Sequence, residues 1–377
     1  MTNYKNITLF EGLNSLRFFA AFLVVLHHAE TIRKKYELPN FQDIGLFRNG
    51  DNAVTFFFVL SGFLITYLLL KENKRTNTIS IKNFYIKRVL RIWPLYFLLV
   101  IIGTLIVPFV FELAHINYQM PYTLSEVWFY FLFFLPGLVT YFFGHHLLEP
   151  LWSIGIEEVF YLIWAPLFKI GKQRIFVILV AIFVIKVILL ILAQFWMKDP
   201  LTVYLIQMFR FEAMAIGGLG AFFIFNRKSS LSELSIYKKS FQVFFYGLLI
   251  SYLVFYTMIN NGIWNFIFHT PVLSGLFIDF LFLYLIIGVS LIDHNIFKLR
   301  NKFLNYLGEI SYGIYMYHLL LIFGCIQFLK KYLVQLSSPL SSLLFYTIVI
   351  VSVIAVSSLS KVLFENYFLN FKNKLDK

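Results

Sequence analysis

Cysteine is almost missing from this chain: among 377 residues there is one, Cys325, and it sits in an apolar run. A disulfide framework and a thiolate metal site are thereby excluded, and the thiol reads as a packing residue. Charge is scarce too. Charged residues make up 14% of the chain and hydrophobic ones 60%, against about 25% and about 45–50% in a soluble domain. With a mean hydropathy of +0.77, an ordinary soluble domain is excluded. Acidic residues number 19 against 32 basic ones, a net charge of +13. In a soluble protein that excess would point to nucleic acid. Here basic cytoplasmic loops and anionic lipid explain it, so the bilayer is the expected partner and nucleic acid is not. The first apolar stretch keeps Arg17 and lacks a small-residue cleavage site, so it is not a cleavable signal peptide. No low-complexity linker and no internal repeat stand out. One membrane domain over residues 1–377, with no soluble C-terminal domain, is the expected organisation.

What the chain has in quantity is aromatic and aliphatic bulk, with 47 Phe and 23 Tyr. Apolar runs long enough to span a bilayer lie near 14–31, 53–70, 94–113, 158–169, 175–196, 202–225, 241–259, 272–292, 310–329 and 342–363. Lys and Arg crowd the loops 71–91, 169–174 (Lys169, Lys172, Arg174), 226–239 and 293–302, and the tail through Lys372, Lys374 and Lys377. The positive-inside rule places all of these in the cytoplasm. Loop 31–52 is then external, although Arg33, Lys34, Lys35 and Arg48 dilute the bias.

A further apolar run, 126–143, contains Pro136 and Gly137. If it crossed along with 158–169, Lys169 would fall outside. It is therefore read as a re-entrant or interfacial hairpin broken at Pro136-Gly137, tolerated where protein or a water-filled cavity surrounds it. The expected fold is an all-α polytopic bundle of about ten transmembrane helices, multi-pass, with both termini cytoplasmic.

Polar groups inside such helices carry the functional signal. A charged side chain at mid-helix in lipid costs about 2.5–3.5 kcal/mol on insertion scales, so buried function is the default reading. Arg17 and His28 are eleven residues apart, three helical turns plus about 20°, and share one face about 16 Å apart along the axis. His27 falls about 80° off that face.

Arg88 and Arg91, at i and i+3, could grip a phosphorylated ligand bidentately. Their bland reading is a topological anchor. Ser153, Glu157 and Tyr161 repeat every four residues and form one stripe, placed at the outer end of a short helix. A helix dipole explains one of the paired carboxylates Glu157 and Glu158, but not the stripe. Ser61-Gly62 is a small pair suited to close helix approach. His318 is a lone intramembrane imidazole, either a satisfied core residue or a cavity-lining one. Arg210 with Glu212, ahead of Gly217-Gly218, reads as a local ion pair. His27-His28 and His145-His146 lack partners at metal-site spacing, so no metal is expected.

Together these segments resemble the bacterial membrane acyltransferase family 3, whose members O-acylate sugars and other surface molecules. The likeness runs from about residue 10 to about residue 367. Arg17 followed by His28 matches the first-helix mark. Phe57-Phe58-Val59-Leu60-Ser61-Gly62-Phe63-Leu64 matches the second-helix phrase, and Arg88-x-x-Arg91 with Trp93-Pro94 the basic motif. Trp152-Ser153 with Glu157-Glu158 and Phe160-Tyr161 matches the tryptophan–serine–glutamate segment. Ser311-Tyr312 to His318 looks like the late tyrosine-rich motif. Gly155 and Val159 stand where serine and glutamine are frequent, and Asn366 where proline is. Many members add a C-terminal esterase-like domain.

The resemblance implies an O-acyltransferase, most often an O-acetyltransferase, with acyl-CoA as donor substrate, a carbohydrate hydroxyl as acceptor and no tightly bound cofactor. It assigns His28 as general base, Arg88 and Arg91 to the donor phosphates, and Arg17 to the inner part of the same path. Glu157 would orient His28 or bind the acceptor. Ser61, Ser153, Tyr161, Arg210 and His318 are expected around the pocket. A covalent acyl-serine at Ser61 or Ser153 is an open alternative. The rival class is a transporter or flippase of a lipid-linked sugar.

Overall fold

The computed structural model describes residues 4–116, 118–171, 173–256, 262 and 270–374. Lys172, Lys377 and the end of the expected run 241–259 fall outside them, as do the side chains of Lys372 and Lys374. Among the described residues all regular elements are helical. They are α1 (Leu13–Lys35), α2 (Gly50–Thr76), α3 (Ile81–Leu113), α4 (Leu124–Leu132), α5 (Pro136–Phe143), α6 (Trp152–Ile170), α7 (Ile175–Phe195), α8 (Pro200–Met208), α9 (Phe211–Asn226), α10 (Lys239–Phe255), α11 (Pro271–Leu291), α12 (Lys302–Glu309), α13 (Ser311–Leu333), α14 (Ser338–Ser360) and α15 (Asn366–Lys374). Nine helical stretches among the described residues are long and apolar enough to cross a membrane, and α10 is a shorter apolar helix. The protein is an all-α polytopic membrane protein.

Local signals set the boundaries. Asn77 in the left-handed region (φ 57°) closes α2. The Ser80 hydroxyl accepts from the Asn83 amide and opens α3. That start lies thirteen residues before the apolar run at 94, so α3 carries Arg88 and Arg91 inside the helix and passes through Pro94. It runs on through a π-helical turn at Ile102–Ile106.

Two compact units share the chain in alternation. One comprises Met1–Ala20, Asp43–Ile79 and Leu162–Gly308; the other comprises Ala21–Gln42, Ser80–Tyr161 and Glu309–Lys377.

In the first unit α2 packs on α9 at glycine contacts. A Cβ on Gly62 would overlap the Met214 backbone, and one on Gly217 the Val59 carbonyl. This is the close approach that small residues permit between helices in lipid. Ser61 sits beside this contact, and Arg17 lies on the part of α1 that belongs to this unit. Arg210 occupies the break between α8 and α9. Its Nε donates to Glu212 Oε1 at 2.7 Å, and its Nη2 is 3.8 Å from Asp279, with Lys186 3.9 Å from Glu212. The local pairing expected for Arg210 is thus part of a buried four-charge network.

In the second unit the contact order gives helix directions. His28 meets His318, and eight and five residues further on Tyr36 meets Phe323, so α1 and α13 run parallel. Tyr312 reaches Ile92 and Phe323 reaches Phe111, so α3 runs the same way. Trp93 pairs with Glu158 and Phe84 with Tyr161, so α6 runs against α3. Glu30 and Arg33 meet Tyr346 and Ser342 in reverse order, so α14 runs against α1.

Antiparallel α3 and α6 require an even number of crossings between them. Among the described residues the helices there are α4 and α5, of nine and eight residues, and a single 3-10 turn at Glu149–Leu151, all about 13 Å long or less and too short to span. α4 and α5 form a hairpin. It opens with a capping box at Thr123 and Glu126, and Pro136 starts its second arm. The break is therefore at Phe133–Leu135, just before the proline, because Pro suits a first helical turn better than a bend. At the tip Phe134 (φ 57°) stacks on Tyr96 at 4.5 Å and lies 5.2 Å from Trp93. Trp93 and Tyr96 lie twelve and fifteen residues into α3, about 18–22 Å from its start. The hairpin is therefore re-entrant. Gly155 makes room for it, since a Cβ there would overlap the Phe134 carbonyl oxygen.

Candidate active site

Three layers of polar side chains follow one another along the second unit. The first is basic. Arg88 and Arg91 lie one turn apart on α3. The Arg88 guanidinium carbon sits 5.2 Å from the Tyr161 ring centre and 5.7 Å from that of Phe84, within cation–π range. Tyr161 donates to Glu157 Oε2 at 2.6 Å. Beside them Trp93 Nε1 donates to Glu158 Oε2 at 2.9 Å, while Glu158 Oε1 is buried without a hydrogen-bond partner among the described residues. The stripe expected on α6 therefore meets the arginine pair. Tyr161 thus joins Glu157 to Arg88, because α3 begins early and carries Arg88 alongside Tyr161, a contact the apolar runs alone did not reveal.

In the second layer Tyr315 Oη lies 2.7 Å from Ser153 Oγ and donates to the Pro150 carbonyl at 2.9 Å. Ser153 is 6% exposed. This ties the start of α6 to α13, next to the histidines.

The third layer is the histidine pair. His318 Nδ1 lies against the Tyr315 carbonyl, an acceptor only, so Nδ1 carries the proton. In the neutral ring Nε2 is then a bare acceptor. His318 Nε2 is 3.1 Å from His28 Nδ1, which is also 3.0 Å from the Val24 carbonyl. Both neighbours accept, so His28 Nδ1 carries a proton shared between them, a three-centre bond. The lone pair of His28 is left on Nε2. His318 is fully buried and His28 partly exposed. His27 packs edge-on against His28, with ring centres 5.2 Å apart.

A second histidine cluster lies outside the spanning helices. His146 Nδ1 accepts from Tyr122 Oη at 3.0 Å and from the Leu148 amide at 3.2 Å, and Nε2 faces Thr140 Oγ1 at 3.3 Å. Burial, with His145 adjacent, pushes its pKa down to about 3. His145 itself pairs with Glu149 at 2.9 Å. No group of three or more metal-type ligands occurs among the described residues.

Sequence reasoning missed the Trp93–Glu158 bond and the His28–His318 contact. The only signal for the latter was a second imidazole in an apolar helix.

A family model described as an acyltransferase domain matches residues 10–361. The chain belongs to that family. The O-acetyltransferase OatA of Staphylococcus aureus (strain NCTC 8325 / PS 47) is 28% identical over 343 residues, covering 87% of this chain and 52% of the relative. A protein of Staphylococcus aureus (strain COL), named only provisionally as an O-acetyltransferase, is 32% identical over 168 residues, 43% of this chain and 25% of that protein. The chain thus spans about half or less of these relatives' length. No solved structure matches.

Proposed function

We propose that this chain is a membrane O-acyltransferase that moves an acetyl group from cytosolic acetyl-CoA to a hydroxyl of an exported or surface carbohydrate. The observation that carries the reading is the histidine pair. Its hydrogen bonds leave His28 Nε2 as a bare, partly accessible base inside an apolar helix. The acceptor hydroxyl oxygen attacks the thioester carbonyl and its proton passes to Nε2. The carbon–sulfur bond then breaks, and the departing thiolate takes that proton.

Arg88 and Arg91 hold the donor phosphates. Arg88 stacks on Tyr161, nine residues and about 14 Å from the end of α6, deeper than a topological anchor needs to be. Arg17 stands on the same unbroken helix as His28, nearer the side from which the donor enters. Ser153 is buried against Tyr315, which favours a supporting role and direct transfer over an acyl-serine. Basic loops favour cytoplasmic termini in a bacterial inner membrane, and the names of the relatives favour acetyl transfer to oxygen.

One observation favours the rival transporter: α8 and α9 are interrupted at a buried charge network, as in many carriers. Incubating the purified full chain in detergent with acetyl-labelled acetyl-CoA separates the two. An acyltransferase releases labelled acetate or acyl product; a transporter leaves the donor intact.

A further inference from the structure

The far end of α3 and the segment leading into α4 enclose a cleft of about 690 Å³, all of it within the second unit. A volume of that size suits a ligand of a few rings. Its lining divides by chemistry. Glu112, Gln119, Thr104 and Thr123 supply polar groups, and Tyr118 and Tyr122 supply aromatic side chains. Among the described residues the Glu112 carboxylate and the Gln119 amide have no side-chain partner, so both are available to a ligand.

We propose that this cleft binds the acceptor as a neutral carbohydrate, its hydroxyl edge on Glu112 and Gln119 and its ring faces on Tyr118 and Tyr122. The inference rests on the acyltransferase reading above and adds where its second substrate binds and that the bound part is uncharged. Four observations carry it.

The lining has no lysine or arginine among the described residues and one carboxylate. It therefore repels the phosphates of an acyl-CoA and does not compete for the donor. A sugar, by contrast, presents an apolar ring face and a rim of hydroxyls, the same division the cleft shows.

The aromatic wall is held rigidly. Tyr118 packs edge-to-face against Phe323 at 4.6 Å and against Phe111 at 5.6 Å. Tyr122 is fixed by donating to His146, which stays neutral at physiological pH. Ordered rings lose little entropy when a ligand arrives.

α3 departs from α-helical geometry in one place, and that place faces the cleft. The π turn at Ile102–Ile106 presents Thr104 and Leu105 to it. Such turns are uncommon and concentrate at functional sites.

The cleft also adjoins the base. Phe323 lies five residues beyond His318, and Tyr36, which meets it edge-to-face at 6.2 Å, lies eight residues beyond His28. The cleft therefore sits one to two turns past the histidine pair, at the end toward which both helices run.

The test uses the purified full chain with labelled acetyl-CoA and a panel of cellotetraose, maltotetraose and chitotetraose. Glu112→Gln and Gln119→Ala alter exposed side chains, so folding is checked simply by elution profile. Each is expected to raise the oligosaccharide KM about tenfold, the weight of a hydrogen bond to a charged or directional group. The change in acetyl-CoA KM should be much smaller. Equal shifts in both constants, or unchanged acceptor KM, overturn the cleft. So does acetyl-CoA hydrolysis that persists in wild-type protein while no oligosaccharide is bound or acylated. Absence of any acetyl-CoA turnover, with or without oligosaccharide, instead overturns the acyltransferase reading beneath it.

Discussion

His318 Nε2 lies 3.1 Å from His28 Nδ1, joining two imidazoles 290 positions apart in the chain. Because His318 is itself held by a backbone carbonyl, the contact fixes which nitrogen of His28 is free.

Removal of His28 should therefore abolish acyl transfer, with a loss of about 10²- to 10⁴-fold for a general base. His27→Ala should be far milder. His318→Leu should cost about tenfold through loss of one orienting hydrogen bond, and His318→Gln, which keeps an acceptor, should recover part of it. Rates of labelled-acetate transfer measure this series. Equal losses for His27→Ala and His28→Ala would assign the base elsewhere, and no advantage of Gln over Leu at 318 would reduce His318 to packing.

Arg88→Ala and Arg91→Ala should raise the acetyl-CoA concentration needed for half-maximal rate. Arg88→Lys should rescue only partly, because an ammonium neither forks onto phosphate nor lies flat on Tyr161. Donor titrations at equal protein level decide the point. Unchanged donor dependence would leave both arginines as topological anchors.

The re-entrant hairpin predicts that Thr123 and His145 lie on one side of the membrane. Single cysteines at these positions, on a Cys325→Ser background, should react with an impermeant maleimide from the same side of sealed cells. Labelling from opposite sides would refute the ten-crossing arrangement.

His146 predicts a direction for acid sensitivity. Its pKa is near 3 in the folded protein, and about 6.5 is expected when unfolded. The unfolded chain binds the proton first as pH falls, so this contribution is intact above about pH 6.5 and is lost progressively down to about pH 3. By pH 5 the loss is about 2 kcal/mol. Thermal unfolding of the detergent-solubilised protein should show a midpoint falling between pH 7 and pH 5, with a weaker fall in His146→Gln. The same slope in both would remove His146 as the cause.

The sequence by itself determined the class of the molecule. Scarce charge and long apolar runs leave a helical bundle in lipid as the only arrangement that satisfies every backbone group. Loop charges and parity turned the run 126–143 into a hairpin. The spacing of Arg17 and His28 follows from helix geometry alone, and the five motifs pointed to the family that the comparison shows.

What only the tertiary structure decided is which polar groups meet. His318 looked solitary because nothing in its own helix reports on a residue 290 positions earlier. The link from Glu157 through Tyr161 to Arg88 shows only in the fold, because α3 starts at the Ser80 cap, thirteen residues before its apolar run, and so carries Arg88 alongside Tyr161. Tyr118 and Tyr122 belong to no motif in the sequence and become the wall of a cleft only where the end of α3 meets the segment leading into α4. Periodicity fixes a face within one helix. Partnership between helices is fixed by packing, where a single glycine such as Gly155 admits a neighbouring carbonyl that any side chain would exclude.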